Sequence, residues 1–351
     1  MSDTTHAISQ KRARRRQTMK AFVVSRYGKA NSVEAVELPE PELRDGDVLV
    51  QIHAASINPL DLKIRNGELK PLLPYKLPLV LGNDLAGVVI KAGANVDRFK
   101  PGDEVYAKPD KDRIGAFAEL IAISENDVAK KPHRLDMEQA ASIPLVGLTA
   151  WQALVEKAKL QAGQKVLIHA GSGGLGTIAI QLAKHLGATV ATTTSTVNVE
   201  WVKRLGADVV IDYRSNDFET VLHDYDVVID TQGGQTLEKS LGVLKPGGKV
   251  ISVAGPPDPD FAKEFGANWF LIQAMRALSF QIRRKAKRRG VTYSFLFMKA
   301  SGDQLRELGS LIDSGVIRPV VDRIFPFEST TEALAYVEKG RAKGKVVVKI
   351  R

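Results

Sequence analysis

The feature that most constrains this chain is a glycine-rich turn, AGSGGLG at 170–176, set between an apolar run and an amphipathic one. KVLIHA (165–170) has the composition of a buried strand, and after the turn Ile178, Leu182 and Leu186 recur at the spacing of a helix that Gly187 ends. Gly171, Gly173 and Gly176 therefore form G-x-G-x-x-G where a strand passes into a helix. Gly171 is expected to permit the tight turn, Gly173 to let a pyrophosphate approach the backbone, and Gly176 to let the helix pack on the strand. Ser172, Gly174 and Leu175 complete a loop whose N–H groups, at a helix N-terminus, suit an anion. The expectation is a dinucleotide site.

The flanking pattern extends the reading. Apolar strands TVATTTS, VVIDY, DVVIDT and KVISVAG alternate with helical segments at 198–205 and 235–244, which predicts a parallel, doubly wound sheet over 146–314. A helix is expected over 149–160, stopped by Gly163. A proline-rich turn and a long basic, aromatic helix over 256–294 interrupt the alternation, and YSFLFM (293–298) resumes it. Residues 19–145 read instead as mostly β, with VLVQIHAASI (48–57) as a half-buried strand and glycine and proline corners between strands. The tail over 315–351, with VVDRIFPF and KVVVKI, is expected to return and complete that first domain. The fold class is α/β in two domains, preceded by a disordered basic tail over 1–18.

The kind of dinucleotide is set about 20 residues beyond the glycine turn, where a carboxylate would bind the ribose 2′-hydroxyl of NAD. ATTTSTVN (191–198) holds no acid there, and the hydroxyls of Thr194, Ser195 and Thr196 can donate to a 2′-phosphate. The expected cofactor is NADPH.

Composition excludes several classes. With no cysteine there is no disulfide, thiolate nucleophile or cysteine-held metal, and the six histidines form no spaced cluster; His53 and His169 read as strand residues, His169 facing the cofactor fold. The net charge of +10 sits in two runs, at 11–16 and 283–289. Setting those eleven residues aside leaves 39 of the 50 basic residues against 40 acidic ones, so the body is near neutral, broad nucleic-acid binding is not expected, and both runs read as solvated. No stretch has the ~20 apolar residues of a membrane span. A cytoplasmic location is expected.

Several further segments carry a resemblance: INPLDLKIRNG (57–67), PLVLGNDLAGVV (78–89), GDEVYA (102–107), IPLVGLTAWQAL (143–154), LGADVVIDY (205–213), DTQGG (230–234) and GRAKGKVVV (340–348). With the glycine turn, they make the chain resemble the medium-chain dehydrogenase/reductase superfamily over 19–351, on its zinc-free quinone and enone reductase branch. The resemblance implies a GroES-like, mostly β catalytic domain, a Rossmann cofactor domain, a cleft between them and a homodimer. It places Asn58 and Thr149 near the nicotinamide, Tyr213 near the 2′-phosphate, and Gly234 and Ala254 along the cofactor groove. Asn58 and Asn83-Asp84 stand where zinc-dependent relatives carry metal ligands, so no metal is expected. Without a Lewis acid, an activated acceptor such as a quinone or an α,β-unsaturated carbonyl fits best.

Catalysis is expected from Asn58, Asp61 and Lys63. If 61–63 is extended, Asp61 and Lys63 point to one side, and Lys63 can donate to the acceptor oxygen while Asp61 orients it. The alternatives are a zinc-free dehydrogenase of another carbonyl, and a zeta-crystallin-like cofactor-binding protein with a non-catalytic, RNA- or partner-binding role.

Overall fold

A computed structural model describes residues 18–29 and 32–351; the basic run at 11–16 and the expected tail up to residue 17 lie outside the described residues. In chain order the strands are β1 Thr18–Val24, β2 Val33–Pro39, β3 Asp47–Ile57, β4 Leu79–Val80, β5 Asp84–Ala92, β6 Glu104–Ala107, β7 Leu120–Ser124 and β8 Val128–Lys130. Then follow β9 Lys165–Ile168, β10 Thr189–Thr194, β11 Val209–Asp212, β12 Tyr225–Asp230, β13 Leu244–Ser252, β14 Thr292–Phe295, β15 Val321–Pro326 and β16 Lys345–Lys349. The α-helices are α1 Pro59–Asn66, α2 Met137–Ala141, α3 Pro144–Trp151, α4 Gly174–His185, α5 Val199–Lys203 and α6 Phe218–Val221. They continue with α7 Gly234–Val243, α8 Pro259–Glu264, α9 Trp269–Leu278, α10 Phe280–Arg288, α11 Gly302–Asp313 and α12 Thr330–Glu338.

The strands β9 to β14 form one six-stranded sheet in the order β11-β10-β9-β12-β13-β14, and every pair is parallel. The order reverses between β9 and β12, which opens a crevice at their carboxyl ends. Both faces are covered, because alternate residues enter different cores: Val166, Ile168, Val227, Ile229 and Ile251 pack on one side, Leu167, Val228 and Val250 on the other. That two-sided burial is why these strands read as continuous apolar runs.

A second sheet has the order β15-β16-β3-β5-β6-β8, with β7 also paired to β3. The C-terminal β16 runs antiparallel to β3, so the tail does return to the first sheet. β3 is buried almost along its whole length rather than half-buried as expected, because it is central and α2 and the aliphatic core cover its two faces. β1, β2 and β4 form a small third sheet.

Two local expectations need correction. The helix expected over 149–160 starts earlier, at Pro144, continues as a π-helical turn over Gln152–Ala158, and is closed by Lys159 in the left-handed region (φ 53°), not by Gly163. Its start is held from a distant strand, since Leu145 N–H donates to Asp84 Oδ1 at 2.7 Å. The long helix expected in 256–294 is three short ones, α8, α9 and α10, broken at Gly266 (φ 75°) and at Ser279. α9 and α10 expose Trp269, Phe270, Leu278 and Phe280, and most of the basic run lies exposed on α10, with Lys285 paired to Glu238.

Packing at the glycine turn yields a test. A methyl group on Gly176 would lie 2.4 Å from the Ala170 carbonyl oxygen and 2.6 Å from Gly171 Cα, both backbone atoms that cannot swing away. Gly176→Ala is expected to lower stability by about 1–3 kcal/mol, read as a shift of the urea midpoint. An unchanged midpoint would mean that α4 and the turn separate freely.

Candidate active site

Four strand ends of the second sheet lie side by side. The register pairs Val346 with Ile57, Ser56 with Asp84, and Leu85 with Ala107. Lys345, Asn58, Asp84 and Lys108 therefore follow one another along a single edge, on or just beyond β16, β3, β5 and β6. All four are buried, with 5%, 0%, 0% and 1% exposure. Asp84 is the hub. Its Oδ2 accepts from Ser56 Oγ at 2.7 Å, Asn58 Nδ2 at 2.9 Å and Lys345 Nζ at 3.2 Å, while Oδ1 holds the first turn of α3. Lys345 also donates to Asn58 Oδ1 and to the Ile57 carbonyl, so the Asn58 amide is fixed at both ends.

Asp61 lies beneath this row. Its Oδ2 accepts from Asn58 N–H at 2.8 Å, closing a capping box at the start of α1, and its Oδ1 accepts from Asn83 Nδ2 at 2.7 Å. Burial pushes its pKa up to about 7, against the pull of those two donors. The expected pairing of Asp61 with Lys63 fails. Residues 61–63 are helical, not extended, and two helical steps place side chains about 200° apart. Asp61 points inward, whereas Lys63 is exposed and has no side-chain hydrogen bond or ion pair among the described residues.

The glycine turn fits a dinucleotide. A Cβ on Gly173 would meet only the Ala170 carbonyl, at 3.3 Å, which leaves that face of the turn open to a ligand. Gly171 is required for a different reason than expected: its Cβ would lie 2.2 Å from Thr192 Oγ1, so it serves close packing of β9 on β10. Ser172, Gly174 and Leu175 are half-buried at the N-terminus of α4. Gly344 N–H donates to the Ser172 carbonyl at 2.9 Å, and the Lys345 stem lies against Gly174. Lys345 thus spans from the glycine turn to Asn58 and Asp84, a link that sequence reading missed.

At the end of β10, Thr194 Oγ1 is buried with no hydrogen-bond partner among the described residues, the mark of a group that awaits one. Ser195 and Thr196 follow it, and Tyr213 is exposed beside it, its N–H donating to the Thr194 carbonyl. The register also brings Asp212 opposite Thr194, an acid that a reading along 191–198 alone overlooked. Thr196 and the Arg214 N–H both donate to Asp212, and these bonds hold its carboxyl below the usual range. Gly233 and Gly234, both with positive φ, begin α7 beside Ala254, whose carbonyl would lie 2.8 Å from a Cβ on Gly233. Thr149 is buried on α3 and donates to the Leu145 carbonyl. His169 does not face this groove; it sits in the core against Phe218, hydrogen-bonded to Thr193 and Ser240, and burial holds its pKa down at about 4.

Beyond Ala254 the row of carboxyl strand ends continues to a cavity of about 280 Å³. Phe295 to Met298, at and after the end of β14, form one wall, Phe261 of α8 and Phe265 just after it another, and Lys108 reaches it from the second sheet; Asp110, Lys111, Lys157, Glu264 and Lys299 complete the lining. Among the described residues no group of three or more potential metal ligands is found.

Comparison with known proteins identifies the family and the fold. The Alcohol dehydrogenase GroES-like domain family matches residues 44–133, and the Zinc-binding dehydrogenase family matches 205–348. A mitochondrial NAD(P)H oxidoreductase of Danio rerio is 36% identical over 96% of this chain and 93% of its own. An NADPH-dependent alkenal/one oxidoreductase of Arabidopsis thaliana, chloroplastic, is 38% identical over 94% of this chain and 79% of its own. The solved structure of a quinone oxidoreductase from Coxiella burnetii superposes with a TM-score of 0.84 at 34% identity, covering 95% of this chain and all of that one.

The raised pKa of Asp61 gives a signed pH dependence. The fold favours the neutral carboxyl, so this contribution to stability is fully present below the ordinary range near pH 4 and is lost as pH rises through about 7. The wild type is expected to lose more stability than Asp61→Asn between about pH 5 and about pH 8, by urea unfolding at both. Equal losses would show that Asp61 ionises freely in the fold.

Proposed function

The chain belongs to the medium-chain dehydrogenase/reductase superfamily, among its quinone oxidoreductase-like members, and on that premise we propose that it is an NADPH-dependent reductase of quinones or α,β-unsaturated carbonyls. The observation that carries the reading is the alignment of two rows of strand ends. Lys345 joins the glycine turn to Asn58 and Asp84, and the carboxyl ends of β9, β12, β13 and β14 lead from that turn to the cavity beside Lys108. The names of relatives, an alkenal/one oxidoreductase and a quinone oxidoreductase among them, supply the acceptor classes.

When bound, the reduced nicotinamide supplies a hydride. This chain's residues supply the rest. The N–H groups of Gly173, Gly174 and Leu175, at the positive end of α4, suit the pyrophosphate. The Thr194 and Ser195 hydroxyls, with Tyr213, suit a 2′-phosphate; the Thr196 hydroxyl, expected to join them, donates to Asp212, and Arg214 adds a cation beside that carboxylate. Asn58 and Thr149 hold the nicotinamide end. Asp61 acts on Asn58 through the capping box, as a positioning residue, in place of the role expected beside Lys63. The Lys345 ammonium lies where a metal would have to compete for Asp84, so the carboxylate is already neutralised and the reaction proceeds without zinc. The oxidoreductase acts on a small molecule, and no helix of the described residues is long and apolar enough to cross a membrane. A cytoplasmic homodimer completes the reading, tested by fractionation and by sedimentation of the purified chain.

Initial-rate assays on a panel of enones and quinones should favour NADPH over NADH by at least about tenfold in kcat/KM, roughly 1.4 kcal/mol. Ser195→Asp should abolish that preference, and Asp212→Asn should enlarge it. Equal use of both cofactors by the wild type overturns the NADPH reading, and no oxidation of either by the whole panel overturns the function.

Exhaustive chelation should leave turnover intact, with no stoichiometric zinc by elemental analysis. Activity lost to chelator and restored by zinc would refute the metal-free mechanism.

A further inference from the structure

Among the described residues Lys108 stands apart from the other buried charges. Asp84, Lys345 and Asp61 each have near partners, but the Lys108 ammonium has no hydrogen bond or ion pair among the described residues, although the residue is 1% exposed. Its Nζ is not among the wholly buried polar atoms that lack a partner, so the ammonium borders accessible space; a cation held there with so little water and no partner is costly in a stable fold. Such a cost persists where the group faces something that only a ligand provides. Burial accordingly depresses its pKa, against the combined pull of Asp110, Asp127, Asp84 and Asp61.

What Lys108 faces is the cavity at the end of β14. The opposite walls are aromatic, with Phe261 and Phe295 edge to face at 4.9 Å and Phe265 and Phe297 at 6.1 Å. Of the charged side chains that line the cavity, Lys108 alone is buried; Asp110, Lys111, Lys157, Glu264 and Lys299 form a polar rim, with Lys157 paired to Glu264. The buried cation and the rings inside that rim suit a flat, apolar molecule with an electron-rich oxygen. The two walls also meet here. The row Lys345, Asn58, Asp84, Lys108 begins against the glycine turn and ends at this cavity, and the row of carboxyl strand ends from β9 through β12 and β13 to β14 does the same. We infer that Lys108 is a catalytic residue that donates to the carbonyl oxygen of the acceptor, whose apolar body lies among Phe261, Phe265, Phe295 and Phe297.

The inference rests on the hydride-transfer reading and names the group that answers the charge. Hydride addition forms a C–H bond at the β-carbon of the enone and breaks the C=C π bond, and that electron pair moves onto the carbonyl oxygen as an enolate. Lys108 N–H stabilises the oxygen in a water-poor cleft. A proton from the ammonium, replenished from water, adds at the α-carbon and completes the saturated ketone. The reduced nicotinamide named above is the two-electron donor and the enone is the species reduced.

The test uses the full chain with benzylideneacetone as enone and its saturated product, benzylacetone, as a binding probe without cofactor. Lys108→Met should weaken benzylacetone binding by about tenfold and lower kcat/KM for the enone by ~10²-fold, with NADPH affinity kept. Lys108→Arg should restore part of both. The thermal midpoint of Lys108→Met should stay or rise, because an unpaired buried charge is removed; a structural lysine would lower it instead. Wild-type binding and turnover in Lys108→Met overturn the inference, as does a loss confined to Lys63→Met. If Lys108→Met fails to fold, the structural reading wins unless Lys108→Gln folds and shows the same two losses. A wild type that binds benzylacetone through Lys108 but reduces no enone or quinone defeats the proposed function and leaves the binding assignment standing.

Discussion

A single buried carboxylate, Asp84, joins parts of the chain that are far apart in sequence. Its oxygens accept from Ser56 and Asn58 at the end of β3, from Lys345 at the start of β16, and from the backbone of Leu145 at the start of α3. A carboxylate with no exposure is expensive unless a countercharge and several donors replace its water, and here all of these are present. Its position at the edge of β5 is therefore tightly determined. So are the elements that converge on it: the C-terminal strand, the second sheet, and the helix that leads into the parallel sheet.

From that hub the site is built outward by register. In antiparallel strands, fixing one pair fixes every neighbour, so the pairings of β16, β3, β5 and β6 bring Lys345, Asn58, Asp84 and Lys108 into one row. Lys345 then does two things at once. Its stem packs on Gly174, and its ammonium joins Asn58 to Asp84. Because a Cβ on Gly174 would lie 2.7 Å from Lys345 Cδ, the glycine turn and this edge of the second sheet constrain each other's shape.

The same row grades the electrostatics of the cleft. At the glycine turn, charge is paired and satisfied. Beneath Asn58, Asp61 is pushed by burial toward its neutral form, which spares the site a second anion beside Asp84. At the far end, Lys108 has no hydrogen-bond or ion-pair partner among the described residues and borders a cavity with aromatic walls and a charged rim.

The sequence by itself determined the nucleotide sheet, the glycine turn and the hydroxyl run at 194–196. All three are local: strand period, helix period and turn chemistry act within a few residues, and their signals survive in a linear reading. The segments quoted from 57 to 348 also sufficed for the superfamily. Tertiary structure decided what distance along the chain conceals. Leu145 gains its cap from a strand sixty-one residues away, which moved the start of α3 from the expected position. Asp61 and Lys63 separate because α1 is helical where an extended loop was expected, and Asp212 approaches Thr194 only through the parallel register of β10 and β11. Lys345 and Lys108 carried no signal at all. A lysine in a sequence reads as surface, and only strand pairing across the chain could bury these two at the same edge.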